Sequence, residues 1–114
     1  MEITLRGVKG MKSIFIGLFG DTPRNRVLEF MLEMKGLDFT IGDLAKEIEL
    51  NRATTYNVME DLIKESIVIP TRKISGAQAY KLNLNKKEVK LVILAFNSGL
   101  KIISNKPRIL ENLA

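Results

Sequence analysis

Short hydrogen-bonding side chains crowd residues 51 to 60, NRATTYNVME, where a helix is expected to begin. Asn51 is a favourable N-cap, and Thr55, Met59 and Leu62 recur at the spacing of one buried helical face. Threonine, tyrosine and asparagine rank low in helix propensity, so local preference does not explain these turns. The side chains that face away from the buried side therefore indicate recognition chemistry, in which donors and acceptors are presented to a partner.

The outward positions of this helix suit the edges of nucleic-acid bases. An asparagine amide pairs bidentately with adenine, an arginine reaches guanine or phosphate, and a threonine bonds either base type or touches a thymine methyl. A tyrosine hydroxyl more readily donates to a phosphate, and a small side chain permits close approach. The residues predicted to act in this way are Arg52, Ala53, Thr54, Tyr56 and Asn57.

Composition favours a binding protein over an enzyme. The 114 residues suit one domain, and 46% of them are hydrophobic. The chain has no cysteine and no histidine, which excludes thiolate chemistry and removes the commonest general base and metal ligand. We therefore predict no enzymatic activity, no cofactor and no metal. The net charge of +5 points to a polyanion or an anionic surface as partner, and residues 66–110 hold nine basic residues against one acid.

The elements that would position these side chains follow from capping and periodicity. Thr22-Pro23 predicts a helix that stops at Gly36, and residues 37–39 suit a short strand. Thr40 caps a second helix, and only residues 49–51 separate it from the next one, which is helix-turn-helix geometry. IVIPTRKI and AYKLNL then read as strands of a hairpin with SGAQ at its tip. Asn85 is expected to cap a last helix.

Three stretches carry a family resemblance. GDTPRNRVLEFML, FTIGDLAKEIELNRATTYNVMEDLIKESIV and TRKISGAQAYKLN resemble archaeal winged helix-turn-helix transcriptional regulators of the MarR/ArsR-like superfamily. The resemblance covers residues 21–84 and implies an α+β, mainly α fold: a three-helix core, a two-stranded wing and a C-terminal dimerisation helix. Two positions depart from the family pattern. Ser66 stands where glycine is usual at the helix end, and Thr55 stands where an aliphatic side chain is usual.

The resemblance implies a DNA-binding surface made of two elements. The recognition helix, residues 52–65, would enter the major groove, and the wing, residues 67–84, would lie along the backbone or minor groove. Arg72 and Lys73 are expected to contact one phosphate each, and the predicted wing contacts are Thr71, Arg72, Lys73, Ser75, Gln78 and Lys81.

Residues 85–104 are predicted to form a helix that is apolar nearly all round, which favours a partner helix from a second copy. The predicted dimer contacts are Val89, Val92, Ile93, Leu94, Phe96 and Leu100. Residues 1–20 would be an arm whose short helix or strand, over residues 11–19, packs on the domain or on a partner. Residues 105–114 would be a tail.

We therefore predict a cytoplasmic, homodimeric regulator that binds double-stranded DNA at an inverted repeat and does not associate with membranes. No apolar run approaches the ~20 residues of a transmembrane helix, and the apolar stretch at residues 14–19 lacks the cleavage site of a signal peptide. Two alternatives remain open. One is a protein-interaction winged helix in a transcription or partition assembly, and the other is a sensor whose apolar dimer cleft binds a small effector.

Overall fold

The computed structural model describes residues 14–104, with side chains from residue 15 to residue 97. The predicted tail and most of the predicted N-terminal arm lie outside these residues, as does the Leu100 side chain. The elements in chain order are α1 (Ile14–Phe19), α2 (Pro23–Glu33), β1 (Phe39–Thr40), α3 (Ile41–Ile48), α4 (Arg52–Lys64), β2 (Val68–Ile74), β3 (Ala77–Leu82) and α5 (Lys87–Ser104). This order confirms that the predicted helices, short strand and hairpin exist, and α1 lies against α2 and α5. The short strand lies at Phe39–Thr40 rather than at residues 37–39, and β3 begins at Ala77, so the tip of the hairpin is residues 75–76 rather than the whole of SGAQ.

Side-chain caps begin the three helices of the core, as their sequences predict. The Thr22 hydroxyl accepts the Asn25 N–H at 3.1 Å, and the Thr40 hydroxyl accepts the Asp43 N–H at the same distance. At the start of α4, the Asn51 side chain accepts the Thr54 N–H at 2.8 Å. Each bond satisfies a backbone donor that the helix itself leaves unpaired.

The turn between α3 and α4 depends on a left-handed residue that is not glycine. Glu49 has φ 54° and ψ 45°. Its N–H approaches the Lys46 carbonyl at 3.3 Å, while the Leu50 N–H bonds the Ala45 carbonyl at 3.0 Å. This pair of bonds is a Schellman motif, and it turns the chain within three residues so that α4 crosses α3.

The end of α4 repeats this motif at Ser66, which has φ 58°. The Ser66 N–H bonds the Ile63 carbonyl at 3.0 Å, and the Ile67 N–H bonds the Leu62 carbonyl at 2.9 Å. The Asn83 amide also donates to the Ser66 carbonyl at 2.9 Å. The serine therefore adopts the conformation for which glycine is usual, and the departure from the family pattern leaves this turn unchanged.

The three strands form one antiparallel sheet in the order β1-β3-β2. Pro70 therefore lies on an edge strand, as its missing N–H predicts. Ser75 and Gly76 both have positive φ, which is the two-residue type I′ turn favoured in tight hairpins. Pro70 pairs with Tyr80 but Lys73 pairs with Gln78, so β2 carries one extra residue between these pairs. That bulge lies at Thr71 and Arg72.

The core lies where α2, α3 and α4 meet the base of the sheet. Its most completely buried large side chains are Val27, Met31, Leu44, Met59, Leu62, Val68 and Leu82. The predicted buried face of α4 is confirmed, because Thr55, Met59 and Leu62 are its buried residues. The Thr55 hydroxyl donates to the Asn51 carbonyl at 2.9 Å, so this buried polar group is paired.

The last helix differs from the sequence prediction in two respects. It begins at Lys87 rather than after a cap at Asn85, whose N–H instead bonds the Asn83 side chain at 3.1 Å. Val89, predicted to contact a partner subunit, is only 5% exposed and belongs to the core of its own chain. A first-turn position that faces the core cannot be told from a partner-facing one when the helix is apolar nearly all round.

Candidate nucleic-acid interface

The first two turns of α4 present the residues predicted to read DNA. Arg52, Ala53 and Asn57 are exposed, Thr54 is half-buried, and Tyr56 is 52% exposed. Thr55 lies among them on the opposite side, fully buried, so the first turns have one packed side and one open side. The five predicted residues therefore share an accessible surface of one helix end.

A concave groove joins this helix end to the wing. It has a volume of about 260 Å³ and is lined by Thr40, Ile41, Gly42, Arg52, Tyr56, Ala77, Gln78 and Tyr80. The lining includes residues from the start of α3, the start of α4 and the strand β3. The recognition helix and the wing therefore border one surface, as two elements must if they are to contact the same duplex.

Gly42 gives Arg52 the room it occupies in this groove. A Cβ built on Gly42 would lie 3.3 Å from Nη2 of Arg52. The guanidinium therefore lies close against the first turn of α3. A longer side chain at residue 42 would push it away, so this glycine helps to shape the groove although the sequence pattern did not single it out.

The sheet divides the predicted wing contacts between two faces. Lys73 pairs with Gln78, and cross-strand partners share a face, so Lys73 lies on the face of Gln78 and Tyr80 that borders the groove. Lys81 neighbours Tyr80 along β3 and therefore points to the other face. Ser75 lies at the exposed tip of the hairpin. Lys81 is thus not brought together with the residues of the groove.

Thr71 and Arg72 are engaged by Asp38, an acid that lies far from them in the sequence. Nε and Nη2 of Arg72 donate to Oδ2 and Oδ1 of Asp38 at 2.8 and 3.0 Å. The Thr71 hydroxyl donates to the same Oδ2 at 2.6 Å. Asp38 directly precedes β1, so this group, which we call the Asp38 cluster, crosses the sheet from one edge strand to the other. In a regular strand, the side chains of successive residues point to opposite faces of the sheet. The bulge interrupts this alternation, so Thr71 and Arg72 can both reach the Asp38 carboxylate.

The Asp38 cluster is a close charge pair. Hydrogen bonds from Arg72 and then from Thr71 hold the pKa of the Asp38 carboxyl well below its ordinary value of 3.8. The same contact raises the pKa of the Arg72 guanidinium. The Asp38 side chain is 15% exposed and that of Arg72 is 68% exposed. The arginine is therefore accessible to solvent, but the Nε/Nη2 edge of its guanidinium is already occupied by Asp38.

Gln78 supports the bulge from the neighbouring strand. Its amide nitrogen donates to the Arg72 carbonyl at 3.1 Å and to the Ala79 carbonyl at 3.0 Å. Both amide hydrogens are thereby used on the backbone. This residue, predicted to contact DNA, thus fixes the local shape of the wing and offers only its carbonyl oxygen to a partner.

A second surface, apolar and exposed, runs along α5. Leu91 is 62% exposed and Leu94 61%, with Val92 also exposed, whereas Ile93 and Phe96 are half-buried against the core. We call Leu91, Val92 and Leu94 the α5 apolar surface. The prediction missed Leu91, and it also missed Leu18 and Phe19 of α1, which are exposed as well. Counting apolar residues could not separate these faces of the helix.

Described residues show neither a membrane helix nor a metal cluster. Between residues 14 and 104, no helix has the length and apolarity that a membrane span requires. Within the same range, no group of three or more acidic side chains lies close enough to hold a metal ion.

Three helices packed together, with a helix-turn-helix crossing and a β-hairpin beside the second of its helices, define a winged helix-turn-helix fold. This confirms the predicted α+β, mainly α fold class. No protein-family model matches the chain, and no curated protein matches it in sequence.

Solved structures of this fold are similar to the chain over most of its length. MepR from S. aureus, solved as a complex with DNA, is 17% identical, with a TM-score of 0.57 over 96% of this chain and 88% of that chain. A possible transcriptional regulator from Methanosarcina mazei Go1 is 17% identical, with a TM-score of 0.54 over 92% and 86%. HlyU from Vibrio cholerae is 18% identical, with a TM-score of 0.51 over 80% and 84%. At these identities the likeness shows the fold, and the archaeal origin stays a prediction.

Proposed function

We propose that the protein is a homodimeric, sequence-specific DNA-binding transcriptional regulator without enzymatic activity. The start of α4 would enter the major groove, and the wing would follow the adjacent backbone or minor groove. The observation that carries the proposal is the shared groove, because Arg52 and Tyr56 of α4 line it together with Gln78 and Tyr80 of β3. The DNA complex of the similar protein MepR adds support from the same fold.

Within this proposal the exposed residues of α4 divide by chemistry. Asn57 is the candidate for bidentate pairing with adenine, and Arg52 and Thr54 are candidates for base edges or phosphate. Tyr56 would donate its hydroxyl to a phosphate, and Ala53 would allow the helix to approach closely. On the wing, Lys73 and Ser75 are exposed and unshielded by Asp38, and Lys73 shares the face that borders the groove.

The α5 apolar surface is the proposed dimer contact. Leu91 and Leu94 would be costly to leave in water, and burying exposed leucines against a second copy removes that cost. A two-fold axis would place the two copies of α4 in successive major grooves, roughly 34 Å apart. The expected operator is therefore an inverted repeat with half-sites about one helical turn apart.

Selection from a random duplex pool tests this function directly. The purified protein is incubated with the pool, bound duplexes are amplified, and the enriched sequences are read for symmetry and length. Enrichment of an inverted repeat supports the proposal. Recovery of an unenriched pool, or of no DNA at low salt, contradicts it and favours the protein-interaction alternative.

Asn57→Ala tests the predicted base contact directly. Asn57 is exposed, and its removal leaves the N-cap of α4, Asn51, in place. Loss of a bidentate adenine contact is expected to cost about 1–3 kcal/mol at one base pair and to relax selectivity there. Glu60→Ala, an exposed change two turns into the same helix, is the matched control and should leave the preferred sequence unchanged. Unaltered selectivity of Asn57→Ala at every position would exclude this residue from base readout.

A further inference from the structure

We propose that Asp38 is a positioning residue of the wing, which withholds the Arg72 charge from DNA and leaves Lys73 as the phosphate-binding cation of β2. This inference rests on the proposed DNA-binding function and revises the expectation that Arg72 and Lys73 each contact a phosphate. It starts from the three hydrogen bonds that the Asp38 carboxylate accepts from Thr71 and Arg72.

The donors of the Asp38 cluster are those that would otherwise recognise a phosphate. A guanidinium fork and a neighbouring hydroxyl match the oxygens of a phosphate as well as those of a carboxylate. Here the carboxylate accepts from the Thr71 hydroxyl and from the Nε/Nη2 edge of Arg72 at distances between 2.6 and 3.0 Å, and it neutralises the charge of the guanidinium. The protein thus supplies its own anion to the arginine that the sequence pattern assigns to DNA.

Exchange of Asp38 for a DNA phosphate is unfavourable on three grounds. The Asp38 carboxylate would lose the three hydrogen bonds that Thr71 and Arg72 donate to it, and the exchange would have to compensate for that loss. An incoming phosphate would also place a second negative charge next to it. Moreover, Asp38 cannot easily move away, because the following residue, Phe39, pairs with Tyr80 and its ring lies 5.1 Å from that of Phe30.

Ala79 fits the same arrangement. It lies on the central strand, pairs with Thr40 of β1 and faces the bulge of β2, and it is fully buried. A small side chain at this position lets the ion pair cross the sheet above it. The cluster therefore joins β1 to the bulge that directly precedes Lys73.

Lys73 is the contrasting cation. It is exposed, its only described neighbour in register is Gln78, and the pair lies on the face that borders the groove. An ammonium group on a flexible stem binds phosphate as a point charge and needs no fork. Neutralising one phosphate with such a group releases one set of counterions, which the salt dependence of binding counts.

The experiment measures how steeply log K falls with log salt for the full chain on its selected duplex, and the slope below is the magnitude of this fall. Each lost phosphate contact lowers that slope by about 0.9. We expect Lys73→Ala to lower it by about that amount, and Arg72→Ala to weaken binding by a constant factor at every salt concentration. Asp38→Asn removes the compensating charge, so it should steepen the slope, and Arg72→Ala in the same chain should abolish this increase.

Arg26→Ala is the matched control, because Arg26 of α2 forms a similar two-point pair with Asp21, and neither residue lines the groove. It should change neither the slope nor the affinity. A slope lowered equally by Arg72→Ala and Lys73→Ala would overturn the proposal by showing that Arg72 exchanges Asp38 for a phosphate. A slope insensitive to both Arg72→Ala and Asp38→Asn would also overturn it, since no charge would then be withheld.

A DNA-free measurement keeps this inference separable from the proposed function. Slow exchange of the Arg72 Nε–H with solvent, followed by NMR, reports the contact with Asp38 in the free protein and should become fast in Asp38→Asn. Fast exchange in the unaltered protein would refute the cluster itself. If the unaltered protein binds no duplex at low salt while this exchange stays slow, the DNA-binding function fails and the contact stands.

Discussion

Glu49→Gly should stabilise the protein, because residue 49 occupies the left-handed region with φ 54°. This conformation costs a residue with a Cβ roughly 1–2 kcal/mol of strain, which glycine avoids. Glycine in turn loses about 0.5–1 kcal/mol more conformational entropy on folding, because it is freer in the unfolded chain. The expected net gain is therefore about 0.5–1 kcal/mol. The two hydrogen bonds of the turn come from backbone N–H groups and would remain.

Charge must be separated from conformation at this position. Glu49 contributes weakly to the raised pKa of Arg26, whose main partner is Asp21, so removing its carboxylate costs a little attraction. Glu49→Ala removes the same charge but keeps a Cβ. The difference between the alanine and glycine variants therefore isolates the backbone, and we expect glycine to be the more stable by about 1 kcal/mol.

Glu60 supplies the opposite case, because it is exposed within α4, where φ is negative. There alanine should be more stable than glycine by about 1 kcal/mol, as in any helix interior. Urea unfolding followed by circular dichroism at one fixed protein concentration measures all four variants, since association would otherwise shift the midpoints. If alanine is as stable as glycine at residue 49, the left-handed turn is not the conformation of the folded protein.

Two further predictions concern the ion pair and the dimer. Asp38 has a lowered pKa because of its partners Arg72 and Thr71, so its ionised form stabilises the folded state above pH 3.8, and this contribution is lost as the pH falls through the folded-state pKa. The difference in unfolding free energy between the unaltered protein and Asp38→Asn should therefore be constant near neutral pH and shrink in acid. A difference that stays unchanged until the protein unfolds in acid would contradict the pairing. Leu94→Glu should give monomers in sedimentation, because it places a charge on the α5 apolar surface. Leu37→Glu, at a similarly exposed leucine outside α5, is the control and should leave the dimer intact. Dimers that persist in Leu94→Glu would exclude the α5 apolar surface as the dimer contact.

The fold was predictable where local chemistry and periodicity agreed. Thr22, Thr40 and Asn51 each act as the expected N-cap, and the 3.6-residue spacing gave the buried side of α4 correctly. Asn85 fails as a cap because Asn83 competes for the same turn: its side chain accepts the Asn85 N–H, and α5 begins two residues later. Local hydrogen bonding offers asparagine several partners, and sequence spacing does not choose among them.

The candidate site was predictable on the helix but not on the wing, and the reason is the range of the contacts. The orientation of α4 follows from residues within one or two turns, such as the bond from Thr55 to Asn51. By contrast, Asp38 and Arg72 are 34 residues apart, and their pairing depends on a one-residue bulge that brings two successive side chains to one face. A list of basic residues treats Arg72 and Lys73 alike because it contains neither the strand order nor the register.

Strand order therefore decides the electrostatics of this wing. Because β1 lies beside β3 rather than at the far side of the molecule, the acid preceding β1 comes within reach of β2 across a single intervening strand. The cationic excess of residues 66–110 is then reduced at one specific point by an acid from outside that range. The net charge of a basic segment sets its overall attraction to a polyanion. The number of phosphates that the segment contacts depends instead on which of its cations have no acidic partner within the fold.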